Sequence, residues 1–273
     1  MIPVVIPAKN EKDNLENTVN SLRKTAEYAN EELFIVVVDD GSSDNTAEIA
    51  KKLNCHVVSL PDRGYSALGM PELANTHNAG FEYIDKNLPV DSYKYLMVVG
   101  ADTEFEDDYL SLLIQAMEKD EKLVMCAGVL NGIKTNYDAV RGTGRLIKNS
   151  FWTKVGRRSI DKFYAWESYP ILFALSHGFK ARTIYEAKMT TPREPMGRVD
   201  WKNYGVQMKE NGSIFIYVFL RALKRLIKHK DFKGFYRMLY GYLFSKPNLY
   251  DKNLRAYNKK RQLKRIFGLE NKS

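Results

Sequence analysis

The chain has 273 residues, 44% of them hydrophobic, with 42 Lys and Arg against 33 Asp and Glu and two cysteines. That length fits one main domain with a sizeable core and an appendage. Cys55 and Cys126 stand in apolar strand-like runs without metal-ligand spacing, which argues against a zinc site or a disulfide framework and for reduced thiols in a cytosolic compartment. The net charge of +9 is unevenly spread: residues 198–273 hold 19 Lys and Arg against 5 Asp and Glu, a net +14, so the first 197 residues carry −5.

Strand and helix patterns alternate through the first 130 residues, which predicts an α/β fold with a mostly parallel sheet and crossover helices. A β-branched strand from Ile2 runs into the polar loop Pro7-Ala8-Lys9-Asn10-Glu11. Leu15, Val19, Leu22 and Ala26 then fall on one face of a first helix. A second strand, near 33–38, ends in Asp39-Asp40-Gly41-Ser42-Ser43-Asp44-Asn45-Thr46, and a short helix is predicted after Asp44. A strand near 55–59 and a helix including Ala79 to Ile84 follow. The run Tyr93 to Gly100 is a buried strand that closes on Ala101-Asp102-Thr103-Glu104. A helix from Asp107 then turns Leu110, Leu113, Ile114 and Met117 inward, and another strand is predicted near 122–129.

Carboxylates at the end of a buried strand are costly unless a hard cation or sugar hydroxyls meet them there, so Asp102 reads as a site. The three polar loops should gather at one sheet edge, where open α/β folds bind ligands. In the first loop, Pro7-Ala8 gives a rigid turn and Asn10-Glu11 polar groups suited to a base and ribose; a structural alternative makes Asn10 a helix cap. Asp39 and Asp40 point to opposite sides of their strand end and so serve different purposes. Further on, the Gly-spaced arginines of Arg141-Gly142-Thr143-Gly144-Arg145 suit a mobile loop that grips phosphate by forked hydrogen bonds, with Lys154, Arg157 and Arg158 as further basic residues.

Taken in order, these segments resemble the family 2 inverting glycosyltransferases, the group that includes dolichyl-phosphate mannose synthase. Members read as a strand ending in Pro-x-x-Asn-Glu, a second ending in Asp-Asp-Gly-Ser-x-Asp-x-Thr and a third ending in Asp-x-Asp; here the first Asp of the third is Gly100. The resemblance covers about residues 1–190 and implies a GT-A-like open twisted sheet flanked by helices. It implies that Pro7, Ala8, Asn10, Glu11, Asp39, Asp40 and Ala101 line a nucleotide-sugar donor, a UDP-sugar ahead of GDP-mannose. Asp39 would accept a hydrogen bond from the base while Asp40 steadies the following turn, and Arg63 and Gly64 would lie on the diphosphate side. A Mg²⁺ or Mn²⁺ would be held by Asp102, with Glu104 compensating for Gly100, to offset charge on the departing nucleotide. The family's catalytic base precedes a glycine by eleven residues, the separation between Glu167 and Gly178, which makes Glu167 the base.

The division expected from the sequence is a catalytic domain over 1–197, with a donor half to about 130 and an acceptor half beyond it, and a helical appendage over 198–273. Within the appendage, Arg221, Lys224, Arg225 and Lys228 stand opposite Leu223, Leu226 and Ile227 on a basic amphipathic helix, and Phe235 to Phe244 is rich in interfacial aromatics. Residues 213–244 are therefore expected to lie on an anionic membrane, or else to pack as a helical appendage, with a flexible basic end over Lys259 to Arg265. No stretch reaches the roughly 20 apolar residues that span a bilayer. The expected place is the cytoplasmic membrane face, the acceptor a polyprenyl phosphate or lipid-linked glycan, and nucleic acid no partner. Two other readings stand beside this one. A nucleotidyltransferase would carry a Gly-rich basic loop where Pro7-Ala8-Lys9-Asn10 stands. A non-catalytic anionic-surface or nucleic-acid binder would account for Gly100 and the basic tail.

Overall fold

Strands β1 (Ile2–Ala8) and β2 (Leu33–Asp39) pair in parallel along their whole length, Ala8 opposite Asp39, because both are buried β-branched runs that end in polar loops. The computed structural model describes residues 1–133, 140–193 and 200–268. Strands β3 (His56–Ser59), β4 (Tyr95–Val98), β5 (Glu104–Phe105), β6 (Leu123–Leu130), β7 (Arg145–Lys148) and β8 (Lys180–Thr190) complete one sheet in the order β3-β2-β1-β4-β7-β6-β8-β5. The first four are mutually parallel, as the alternation of patterns predicts. β7 then runs antiparallel to both β4 and β6, β8 is parallel to β6, and β5 is antiparallel to β8, so the sheet is mixed. β5, β7 and β8 were not legible as strands, being too short or too charged.

Helices α1 (Leu15–Tyr28), α2 (Thr46–Lys52), α3 (Leu73–Asn87), α4 (Tyr109–Lys119) and α5 (Asn149–Val155) flank the sheet. Leu15, Val19, Leu22 and Ala26 are all buried, as their spacing requires, and so are Leu110, Leu113 and Met117, with Ile114 packed partly buried against the same core. One compact unit comprises Met1–Ser66, Ala74–Ser159 and the described chain from His177 to Arg193.

The second unit comprises Ala67–Leu73, Ile160–Ser176 and the described chain from residue 200. A 3-10 turn at Trp166–Ser168 leads into α6 (Tyr169–Ser176), and α7 (Trp201–Glu210), α8 (Phe215–His229), α9 (Phe232–Phe244) and α10 (Lys252–Ile266) follow. α7 and α9 approach backbone to backbone at Gly205 and Gly241, where a Cβ would overlap the carbonyls of Met238 and Lys202. The boundary expected at 197/198 lies outside the described residues, and residues 67–73 and 160–176 group with the C-terminal helices instead of the sheet. The expected flexible basic end is helical: Gln262 accepts from Ile214 N (2.9 Å) and donates to Ser213 Oγ (2.7 Å), while Asn258 donates to the Asn211 carbonyl (2.9 Å).

Tyr109 ties the sheet to the loop before β7. Its fully buried hydroxyl donates to the Gly144 carbonyl and accepts from Gly128 N, both at 2.8 Å. Tyr109→Phe strands both backbone groups and should cost on the order of 2 kcal/mol. The check is a fall in the denaturation midpoint at constant slope; an unchanged midpoint rules the bridge unimportant.

Candidate active site

The loops after β1 and β2 are built as one piece. Asp40 N donates to the Ala8 carbonyl (2.8 Å), Asn10 N donates to Ser42 Oγ (2.9 Å), and Asn10 Oδ1 accepts from Ser43 N (2.8 Å). Asn10 sits in the left-handed region (φ 57°) and does not cap α1, whose N-cap is Asn14. Lys9 fastens a third strand end: its Nζ donates to the carbonyls of Asp40 (2.9 Å) and Gly41 (3.1 Å) and to Asp62 Oδ1 (2.6 Å). Gly41 (φ 72°) is needed there, since a Cβ would overlap the Asp62 backbone.

Asp39 is 6% exposed, and its Oδ1 accepts from Ser42 N (3.1 Å); among the described residues nothing donates to Oδ2. Asp40 does not steady the following turn as expected. It is buried against Arg63, its ion-pair partner, and Thr76 Oγ1, which donates to it at 3.1 Å, so it ties β2 to α3. Burial outweighs Arg63 and raises its pKa. The turn is held instead by Asp44, which accepts from Thr46 N (3.0 Å) and Lys12 N (3.3 Å). Arg63 is therefore held by Asp40, while Gly64 (φ 77°) donates its N–H to Asp62 (3.0 Å).

At the third loop, the Ala101 carbonyl accepts from Thr18 Oγ1 (2.9 Å), which pins it to α1. Thr143 comes in from the loop before β7: its hydroxyl accepts from Gly100 N (2.9 Å) and pairs with Thr103 Oγ1 (2.8 Å). Arg193, three residues past β8, forks across two carboxylates, with Nη2 on Glu11 (2.7 Å) and Nη1 on Asp102 (3.2 Å). Glu104 is exposed on β5 and accepts from Asn17 of α1 (3.4 Å). Arg145 is buried and donates to two carbonyls of its own loop, those of Arg141 (2.8 Å) and Val140 (3.1 Å). Arg141 is half-buried, its pKa lowered by burial, and its Nε has no partner among the described residues. Arg157 is likewise structural, donating to Asn149 Oδ1 (2.7 Å) and paired with Asp85.

In the second unit, Glu167 is exposed on the 3-10 turn Trp166–Ser168. The turn is anchored from beneath by Glu210, the last residue of α7. It is 1% exposed, with Oε1 accepting from Tyr164 N (2.9 Å) and Oε2 from Ala165 N (2.8 Å). Burial pushes its pKa up to about 7, against the pull of those two N–H groups. Tyr250 holds the Ala165 carbonyl through its hydroxyl.

The family model for glycosyl transferase family 2 matches residues 4–172, more than half of the chain. The chain belongs to glycosyltransferase family 2. Among its relatives, the poly-β-1,6-N-acetyl-D-glucosamine synthase of Staphylococcus epidermidis is 32% identical over 132 residues, 46% of this chain and 28% of the relative. The corresponding synthase of Staphylococcus aureus is 28% identical over 127 residues, with the same coverage. This glycosyltransferase thus spans little more than a quarter of the length of those relatives. Of solved structures, S. aureus TarS 1-349 in complex with UDP-GlcNAc covers 89% of this chain and 73% of its own at 16% identity and TM-score 0.53. Mannosyltransferase PcManGT from Pyrobaculum calidifontis, in complex with GDP-Man and Mn²⁺, covers 99% and 76% at 13% identity and TM-score 0.57. These likenesses show a GT-A fold, and the family match sets aside the nucleotidyltransferase reading.

Of the residues predicted for the site of this glycosyltransferase, the fold gathers Asn10 with the loop after Asp39, and Glu11 with Asp102. It gives Asp40, Arg63, Arg145 and Glu104 other partners. A divalent cation at Asp102 and Glu104 does not fit the residues present: Asp102 pairs with Arg193, Glu104 bonds α1, and Gly100 brings no ligand. A Cβ at position 100 would already lie 3.2–3.3 Å from Asp102 Oδ1, Thr103 Oγ1 and Thr143 Oγ1. Among the described residues, no three His, Cys, Asp or Glu side chains lie close enough to hold a metal.

Sequence reasoning missed Lys9, Thr143, Arg193 and Glu210. For Glu210 there was a signal in the scarcity of acids across the basic segment: Asp200, Asp231 and Asp251 each cap a helix, α7, α9 and α10, and Glu210 anchors the Glu167 turn. Folded, Glu210 holds its proton to about pH 7; unfolded, only to about 4.5. Between those values the folded state binds more protons, so this contribution to stability is full at low pH and falls as pH rises, by up to about 1.4 kcal/mol per pH unit. Glu210→Gln should flatten that fall in thermal unfolding measured from pH 4.5 to 7. A variant with the slope of the wild type would remove Glu210 as its source.

Proposed function

We propose that this glycosyltransferase moves a sugar, with inversion, from a nucleoside diphosphate sugar to an acceptor at the cytoplasmic face of an anionic membrane. A UDP-sugar is the preferred donor and GDP-mannose the second. The acceptor is a polyprenyl phosphate or a lipid-linked glycan. The observation that carries the donor half is Asp39, buried at the end of β2 with one oxygen fixed by Ser42 N and the other open to a base N–H. The relatives named as N-acetylglucosamine polymer synthases and the TarS complex with UDP-GlcNAc support a UDP-sugar; the GDP-Man complex of PcManGT keeps mannose in play. Glu167 is proposed as the base that takes the acceptor proton, its turn held still by Glu210.

The membrane half rests on α8 and α9. Val218 and Ala222 of α8 face the core of the helical unit with Met208 and Met238, while Ile216, Leu220 and Ile227 lie on the opposite, exposed side, Ile227 being 72% exposed. On α9, Tyr236, Tyr240 and Phe244 form an exposed ladder with ring centroids 6.0 and 5.2 Å apart. An apolar stripe turned to solvent beside lysines suits an interfacial helix. Half of the expected basic stripe has other work: Arg225 lies 3.6 Å over the Trp201 ring and pairs with Asp231, and Arg221 stacks on Tyr217 at 5.3 Å. Lys224, Lys228 and Lys233 have no partner among the described residues. No helix among those residues is long and apolar enough to cross a membrane.

Two experiments test these halves. Asp39→Ala should weaken UDP binding about tenfold or more, whereas Glu167→Gln should keep donor affinity and lower turnover on a hydroxyl acceptor by on the order of 10²-fold. Near-normal turnover of Glu167→Gln excludes it as the base. For the membrane, co-sedimentation with phosphatidylserine vesicles should fall on replacing Lys224, Lys228 and Lys233 by Gln, by about 1 kcal/mol for each. It should be lost on replacing Ile216, Leu220 and Ile227 by Ser. A wild type indifferent to anionic lipid makes these helices packing elements.

A further inference from the structure

We propose that Arg193 takes the place of the divalent cation in this enzyme, so that the donor diphosphate is bound, and leaves, on a guanidinium. The inference rests on the donor-site reading above and departs from the metal that the resemblance implies.

Two carboxylates from separate strand ends, Glu11 after β1 and Asp102 after β4, hold Arg193 by its two terminal nitrogens at 2.7 and 3.2 Å. The contact with Glu11 is a hydrogen bond from Nη2 and that with Asp102 an ion pair. A guanidinium carries five N–H groups, and among the described residues the Arg193 side chain donates to no other acceptor, which leaves N–H groups for phosphate oxygens. The group is 53% exposed, and Glu11 is only 8%, so the side chain is clamped on its buried side and open on the other. β8 brings it there: β5 pairs with the end of β8, Glu104 opposite Thr190, which returns the chain after Thr190 to the loop that carries Asp102. Asn14 adds to the clamp by donating to Glu11 Oε2 at 2.9 Å.

Gly100 removes one of the two carboxylates that an Asp-x-Asp motif would offer a divalent cation. The remaining one, Asp102, stands beside a cation supplied by the chain itself, Arg193, which it shares with Glu11. Position 100 is also tight: Thr143 Oγ1 accepts from Gly100 N (2.9 Å), and a side chain there would need Asp102, Thr103 and Thr143 to give way by a few tenths of an ångström. A permanently charged guanidinium, pre-organised by two carboxylates, stabilises developing negative charge without a metal's ligand geometry. In the transfer, the bond between the anomeric carbon and the β-phosphate oxygen breaks with its electron pair passing to that oxygen, where Arg193 donates hydrogen bonds. The acceptor oxygen forms the new bond from the opposite face, and its proton goes to the base.

Calorimetric titration of the full chain with UDP and GDP, each in EDTA and in MnCl₂, tests the assignment, with uridine as the probe that lacks phosphate. The wild type should bind one diphosphate in EDTA with an affinity that Mn²⁺ changes by less than about threefold. Arg193→Gln should lose about tenfold or more in diphosphate affinity in EDTA while uridine binding is unchanged, one charge-assisted hydrogen bond being worth this much. Arg193→Lys, which keeps the charge and loses the fork, should fall between them; this variant also decides the matter if the Gln variant does not fold. Diphosphate binding by the wild type that appears only with Mn²⁺, or an Arg193→Gln variant that binds like the wild type in EDTA, overturns the role of Arg193 and leaves the donor site standing. If neither diphosphate binds with or without Mn²⁺, the donor-site reading falls and Arg193 with it.

Discussion

The ammonium of Lys9 is the fastening on which the donor side depends. Held by two carbonyls and one carboxylate, it joins the chain after β1 to the loop after β2 and to the segment before Arg63. Lys9 is partly exposed, and its ammonium directs its three N–H groups at three acceptors. Once the loops are joined, Asn10 and Ser43 bond across them, and Asp39 is left at the sheet edge with one fixed oxygen. The Lys9 junction adds to the direct bonds between these loops, from Asp40 N to the Ala8 carbonyl, from Asn10 N to Ser42 and from Ser43 N to Asn10.

The other side of the site depends on strand order. β8 lies between β6 and β5, so the residue that closes the site, Arg193, arrives from the far end of the chain's sheet-forming part. The motif residues Glu11 and Asp102 supply the anions, and a residue outside every motif supplies the cation. Where the resemblance implies a metal, Asp102 has an ion pair with Arg193, and Gly100 stands in place of the motif's first carboxylate. The neighbouring motif acid Asp40 likewise has an ion-pair partner within the fold, Arg63, and accepts from Thr76.

The helical unit inverts the usual arrangement of a surface helix. α8 buries a narrow strip of Val218 and Ala222 and turns larger residues outward. Beneath it, α7 and α9 approach backbone to backbone at Gly205 and Gly241, and Met208 and Met238 pack against Val218 and Ala222. Among the described residues of this basic segment, the acids Asp200, Asp231 and Asp251 cap helices, Asp200 and Asp231 also pair with Arg237 and Arg225, and Glu210 holds the backbone before Glu167.

The sequence by itself determined the parallel half of the sheet, the helices α1 to α4 and the family, because strand, loop and helix alternate there with local signals. Buried β-branched runs and helical spacing depend on neighbours a few residues away. It also marked Asp39, Glu11 and Asp102 as site residues, since acids at strand ends are exceptional wherever the chain later goes. Only the tertiary structure decided which cation Asp102 meets, that Asp40 pairs with Arg63, that Arg145 donates to carbonyls of its own loop, and that Glu210 supports the turn of Glu167. The physical reason is that a charged side chain takes whatever counter-charge the fold brings within hydrogen-bond reach. For Arg193, Asp40 and Glu210 that partner comes from a distant part of the chain, placed by strand order and helix packing that no local pattern records.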